Sequence, residues 1–147
     1  MKILTTSELK DHIETLYERM RPVAAAEGIF IDLIVKFNDE PEKMWPGSFC
    51  YSDGKHYYYG SVGDFGAITS EKFDDLFDPA YRIFKNQTFK IGIKYLGKYL
   101  ATNEKPQDTR RIVFPKEVEL LRLIGEEYAQ RREKEIEEIL KKAPYRD

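Results

Sequence analysis

The chain has 147 residues, 41% of them apolar and 14% aromatic, enough for one ordinary domain with a sizeable core and unlike a disordered tail. Its 24 basic and 26 acidic residues leave a formal charge of −2, so no general attraction to polyphosphate drives nucleic-acid binding. One cysteine excludes an internal disulfide and a multi-cysteine zinc site.

In chain order, MKILTTSELKDHIETLYERM turns polar after four residues, without the apolar run of an export signal. Leu9, Ile13, Leu16, Tyr17 and Met20 recur at helical spacing, with Thr6 or Ser7 as caps and Pro22 and Gly28 toward the end. No apolar stretch approaches the ~20 residues of a membrane span, so a soluble, cytoplasmic protein is expected. FIDLIVKF, Phe30 to Phe37, is β-branched and aromatic and predicts a strand with Ile31, Leu33, Val35 and Phe37 on its core face. A polar connection, Asn38 to Pro46, carries the single tryptophan, Trp45.

FCYSDGKHYYYG, Phe49 to Gly60, centres on Asp53-Gly54, a strong signal for a two-residue hairpin turn. That turn sets Ser52 opposite Lys55, Tyr51 opposite His56, Cys50 opposite Tyr57 and Phe49 opposite Tyr58. Cys50, Tyr57 and Tyr59 then share one face, and Phe49, Tyr51, Tyr58 and His56 the other; one face packs under helices and the other is free. After a turn at Gly60–Gly63, Phe65 to Thr69 reads as the last strand of an antiparallel meander of about four strands.

The remainder reads as helical. Thr69 and Ser70 cap a short turn through Phe73 and Leu76, and Asp78-Pro79 starts a helix whose stripe includes Ile83, Phe84, Phe89, Tyr95, Leu96, Tyr99 and Leu100. After a loop from Thr102 to Asp108 comes a last helical region, broken at Gly125 and ended at Ala143-Pro144. Its charge run from Gln130 to Lys142 reads as a solvated face. The sum is an α+β chain: an N-terminal helix, an antiparallel meander and C-terminal helices packed on the sheet, as one domain over residues 1–147.

No catalytic constellation stands out. Cys50 and His56 project from opposite hairpin faces and cannot share a proton, so Cys50 reads as a small buried residue. Glu71, Asp74, Asp75 and Asp78 suit a helix start, an acidic partner surface or, less simply, a metal or acid–base cluster. His12 lacks a second histidine at helical spacing, and no phosphate loop or serine elbow occurs. Asp108 with Arg110 and Arg111 forms an arginine fork suited to bracing a loop or meeting a partner. Trp45, beside Glu40 and Glu42, is either an exposed interface anchor or a plug on the sheet.

Residues 108–147, DTRRIVFPKEVELLRLIGEEYAQRREKEIEEILKKAPYRD, resemble the C-terminal signature of the immunity protein 63 family, on Asp108, Arg110, Arg111, Phe114, Leu120, Leu121, Tyr128, Arg131, Glu137, Glu138, Ile139, Leu140, Pro144 and Tyr145. Residues 56–84 are similar to the family's aromatic strand, turn, strand and Asp-rich helix start. Tyr128 stands where tryptophan is expected, Glu126 where proline is common, and Asp78-Pro79 interrupts a continuous segment. The resemblance implies a bacterial, cytoplasmic immunity protein of a polymorphic toxin system. Such a protein binds a cognate protein toxin and occludes its active surface, with no enzymatic activity, cofactor, membrane or direct nucleic-acid contact. Glu40, Glu42, Trp45, His56, Tyr58, Asp74 and Asp75 are then the candidate toxin contacts, and Asp108, Arg110, Arg111, Tyr128 and Arg131 a structural signature. Two alternatives make different demands. A small enzyme needs Glu71, Asp74, Asp75 and His56 around one point, with or without a metal. A nucleic-acid adaptor needs Lys85, Lys90, Lys94, Arg110 and Arg111 in one stripe.

Overall fold

The computed structural model describes residues 2–146. Its elements are α1 (Thr6–Ala26), β1 (Lys36–Phe37), a short 3-10 turn (Pro41–Lys43), β2 (Gly47–Ser52), β3 (Tyr57–Val62), β4 (Ile68–Phe73), α2 (Phe77–Thr102), α3 (Arg110–Ile124) and α4 (Glu126–Lys142). The chain divides into two compact units, one of the stretch through Tyr17 with Asp32–Ile83, the other of Glu18–Ile31 and the chain from Phe84 onward.

The first unit holds the sheet, ordered β1-β2-β3-β4. The fold class agrees with expectation, but the sheet is mixed. β2, β3 and β4 form an antiparallel meander, whereas β1 runs parallel to β2, with Lys36 opposite Phe49 and Phe37 opposite Cys50. The strand expected over Phe30 to Phe37 shrinks to these two residues: Val35 is buried, but Phe30 is 79% exposed and the residues before Lys36 have no ladder. Composition favours a strand there, yet a ladder with a neighbouring strand is what makes one. The last strand lies later than expected, at Ile68–Phe73, so Thr69 and Ser70 sit in a ladder and do not cap a helical turn.

The hairpin register is displaced by two residues. Ser52 faces Tyr57, Tyr51 faces Tyr58, Cys50 faces Tyr59 and Phe49 faces Gly60. Asp53 is the cause. Its Oδ1 accepts the N–H groups of Lys55 (2.8 Å) and His56 (2.7 Å), its own N–H donates to the His56 carbonyl (3.1 Å), and the loop becomes Gly54-Lys55. Gly54 takes φ +89°, which a glycine adopts without steric cost. A shift of two preserves the faces, so Cys50 and His56 still point apart. Neither face is wholly free, because Phe49 and Cys50 are both fully buried. Gly60 has a separate role: a β-carbon there would lie 1.9 Å from the Thr69 carbonyl oxygen, so only glycine fits against β4.

Thr5, one residue before the expected caps, starts α1. Its Oγ1 accepts the Glu8 N–H (3.1 Å) while Glu8 Oε1 accepts the Thr5 N–H (2.9 Å), a reciprocal capping box. The helix continues through Pro22 and ends in paired bonds from Gly28 to Ala25 and from Ile29 to Ala24. Thr6 exchanges hydrogen bonds with the Ser52 backbone, and Tyr57 Oη accepts the Leu4 N–H (2.8 Å), tying this end to the hairpin. Asp78 and Pro79 fall inside the first turn of α2, and Asp75 Oδ1 accepts the Asp78 N–H (2.9 Å).

In the second unit, α3 and α4 form an antiparallel helical hairpin about Gly125, whose extended backbone breaks the helix as expected. Leu120, Leu121 and Ala129 are fully buried, and Phe84 meets Tyr128 edge to face at 6.1 Å.

Candidate functional site

The candidate contacts all lie in the first unit, at two ends of β2. Glu40, Glu42 and Trp45 precede its first residue, while His56 and Tyr58 follow its last, about 17 Å away for a strand of this length. At the hairpin end, His56 Nε2 lies 3.3 Å from Asp74 Oδ1. Tyr58 donates from its hydroxyl to Asp53 Oδ2 (2.9 Å) and stacks on Tyr51 with centroids 4.9 Å apart. Hydrogen bonds from two backbone amides and a phenol hold the Asp53 carboxyl down at about 2.

At the other end the 3-10 turn presents Glu42 to solvent, and Glu40 pairs with Lys43 at 2.5 Å. Trp45 is 89% exposed and so does not plug the loop onto the sheet. It borders a concavity of about 520 Å³ with Lys10, Ile34, Lys36, Phe37 and Met44. The ladder places the β3–β4 turn at this same end, since Gly47 faces Val62 and Val62 faces Ile68. That turn carries Phe65, fully exposed, and leads into Ile68, 43% exposed. Sequence reading placed both in a strand, Phe65 to Thr69, and named neither as a contact; the signal for Phe65 was an aromatic between glycines in a turn.

Of the groups that an enzyme would need, His56 and Asp74 meet, while Glu71 and Asp75 have other partners. Glu71 holds Arg82 (2.9 Å), Asp74 faces His56, and Asp75 caps α2. No three His, Cys, Asp or Glu side chains among the described residues converge as metal ligands would. Burial pushes the Cys50 thiol up to about 12, so it carries no thiolate at neutral pH. The positive stripe is likewise broken, because Lys85 pairs with Glu135 (3.3 Å) and Arg110 with Asp108 (2.6 Å). Lys90 and Lys94 lie exposed on α2. No described helix is long and apolar enough to cross a membrane.

The second unit contains the predicted signature residues. Asp108 is buried, and its carboxylate accepts from Arg110 Nε (2.9 Å), Nη2 (2.6 Å) and N (3.1 Å) and from the Arg146 N–H (3.1 Å). The same guanidinium donates to the carbonyls of Ala143 and Pro144, both at 2.9 Å. Arg110 thereby clips the segment after α4 to the start of α3, and Arg111 lies over the Tyr145 ring at 4.4 Å. The Asp108 carboxyl is held far below the usual carboxylate range, mainly by the Arg110 side chain. Tyr128 is buried, which pushes its phenol up to about 12, and Arg131 lines a concavity beside Lys134 and Glu138.

Sequence reading missed a second carboxylate–arginine pair. Glu117 on α3 is fully buried and receives Arg132 Nη2 of α4 at 3.1 Å, with Arg132 also reaching Glu135 (3.2 Å). The signal was available in spacing, since Tyr128, Arg132 and Ile136 recur every four residues on the buried stripe of α4. Lys116, nearly buried, pairs with Glu27 and with Glu119 (2.7 Å) and sits over the Tyr95 ring at 4.4 Å.

No curated protein and no solved structure matches the chain. The Immunity protein 63 family matches residues 62–138, more than half of its length. That span runs from the end of β3 through β4, α2 and α3 and into the last turns of α4, taking in the clip residues Asp108 and Arg110 and the buried Glu117–Arg132 pair. The chain belongs to the immunity protein 63 family.

Proposed function

We propose that this immunity protein neutralises a cognate bacterial toxin in the cytoplasm, as a single domain and without catalysis, by covering the toxin's active surface. The observation that carries the reading is the end of the sheet where Trp45 and Phe65 stand exposed beside Ile68. Large apolar side chains held in solvent on loops at one end of a sheet are characteristic anchors of protein interfaces. Glu40 and Glu42 flank Trp45 and supply a polar rim, while His56, Tyr58, Asp74 and Asp75 form a second contact group at the hairpin end. Asp108, Arg110, Arg111, Tyr128 and Arg131 act by holding the helical hairpin and the segment after it in place.

Co-expression with the toxin encoded beside this protein tests the proposal. The wild-type chain protects the cell, and the double variant Trp45→Asp/Phe65→Asp, altered only at exposed positions, loses protection with a binding cost of about 2 kcal/mol or more. Absence of wild-type binding at micromolar toxin, or full protection by the double variant, overturns it.

A further inference from the structure

The outer seam of α3 and α4 is an apolar groove of about 790 Å³, floored by Phe114, Val118, Leu123, Ile136 and Leu140. Tyr145, pinned by Arg111, stands at its edge. From Phe114 to Leu123 it follows α3 for about 13 Å, the length of two to three helical turns. A trough between two parallel ridges of side chains is shaped to receive a third helix along its axis.

Charge selects the helix. The groove is lined by Glu119, Glu133 and Glu137 against the single cation Arg122. Arg110 and Arg111 gather on the Tyr145 ring at one end of the groove; along the two helices, three cations beside the rim are each shared by two carboxylates. Arg122 serves Glu126 (2.9 Å) and Glu133 (2.8 Å), Lys116 serves Glu27 and Glu119, and Lys141 serves Glu137 (3.8 Å) and Glu138 (3.1 Å). Arg132 stands over the Phe114 ring at 5.4 Å but is held by Glu117 (3.1 Å) and Glu135 (3.2 Å), while Arg131 and Lys134 line a different concavity. The rim is therefore acidic around an apolar floor. A second copy of the chain would set acidic rim against acidic rim, an unfavourable pairing.

We infer that this groove docks an amphipathic helix with a basic flank, contributed by the toxin. For the source of that helix, the inference rests on the neutralising role proposed above; the chemistry of the groove does not. The occupant presents apolar side chains at helical spacing to the floor, and lysines or arginines to the glutamates. This contact lies in the second unit and the exposed aromatic end of the sheet in the first.

The probe is a helical peptide of ~18 residues with leucines on one face and lysines on the other, beside a leucine–glutamate twin and a scrambled control. With the full chain, the leucine–lysine peptide shifts the NMR signals of Val118, Leu123, Ile136 and Leu140. The glutamate twin and the scrambled control bind about tenfold or more weaker. Leu123→Glu, at an already exposed position, weakens the peptide by about tenfold, and Glu133→Lys/Glu137→Lys does so without touching the floor. Equal binding of both peptides, shifts confined to other surfaces, or a concentration-dependent dimer in sedimentation that Leu123→Glu dissolves, each overturns the inference. In co-expression the two proposals separate. If the wild-type chain gives no protection, the neutralising role falls while the peptide result still judges the groove. If wild type protects and Leu123→Glu protects equally, the toxin-helix assignment falls and the neutralising role stands.

Discussion

The second unit contains two carboxylate–arginine pairs that look alike on paper and behave in opposite ways. Asp108 and Glu117 are both shielded from solvent, and each faces one arginine. Yet the Asp108 carboxyl is driven far down, while burial pushes the Glu117 carboxyl up in spite of Arg132. Donor geometry separates them. Asp108 receives a bidentate fork plus two backbone amides, and its cover is largely the guanidinium and chain segment that bond to it. Glu117 lies inside the helical hairpin and meets a single nitrogen, Nη2, at 3.1 and 3.4 Å. An ion pair thus favours ionisation only when its hydrogen bonds outweigh the water that was lost.

Removing the cation of the inner pair is the strongest way to break this comparison. Arg132→Met strands the Glu117 carboxylate and costs about 4 kcal/mol at neutral pH in a denaturant titration. Because the folded carboxyl is raised, its favourable share of stability is complete below the unfolded glutamate value and is lost as pH rises through the folded one. The penalty of Arg132→Met therefore shrinks on acidification as Glu117 takes a proton; a penalty that grows in acid would refute the assignment.

The double variant Glu117→Leu/Arg132→Met makes a smaller change, returning to within about 1 kcal/mol of wild type, because the desolvated charges go together. If the double variant is as unstable as the single one, the pair contributes more than it costs.

For the outer pair the effect is local. Arg110→Lys keeps the charge but loses the fork, so amide exchange at Tyr145 and Arg146 accelerates while global unfolding is nearly unchanged. The sign with pH is reversed relative to Glu117. A depressed carboxyl contributes stability that is present above the unfolded aspartate value and lost as pH falls through the folded one. Wild type should keep its C-terminal clip deep into acid, and Arg110→Lys should release it at a higher pH. Identical acid release in both proteins would show that the fork is dispensable.

Cys50 supplies the limit of burial with no cation at all and changes no stability. Its thiol, raised to about 12, should resist iodoacetamide in the native protein and react fully once denaturant unfolds the chain. Fast native labelling would mean that the β2 core opens readily.

These contrasts also explain what could be read from the chain beforehand. Both the broken helical hairpin at Gly125 and the single-face separation of Cys50 and His56 follow from spacing, which backbone geometry enforces locally. The hairpin register did not, because the Asp53 side chain took two amides that a two-residue turn at Asp53-Gly54 would have left free. Phe30 to Phe37 has strand composition, but a ladder with another strand decides a strand, and Lys36 and Phe37 are the residues that join β2. Arg132 was hidden inside a charge run, where its neighbours Arg131 and Glu133 made a solvated face the natural reading. Trp45 could not be placed from composition, since exposure is a property of what surrounds a loop.

The parallel pairing of β1 with β2 has one more consequence. Parallel neighbours cannot be closed by a tight turn, so the chain must make an out-and-back excursion between Phe37 and Gly47. The sheet requires that excursion and buries Pro41 within it, but leaves Glu42, Lys43 and Trp45 exposed, which makes those positions of the loop an interchangeable cartridge. Under the function proposed above, exchanging its exposed residues would retarget the protein while leaving the ladder beside them intact.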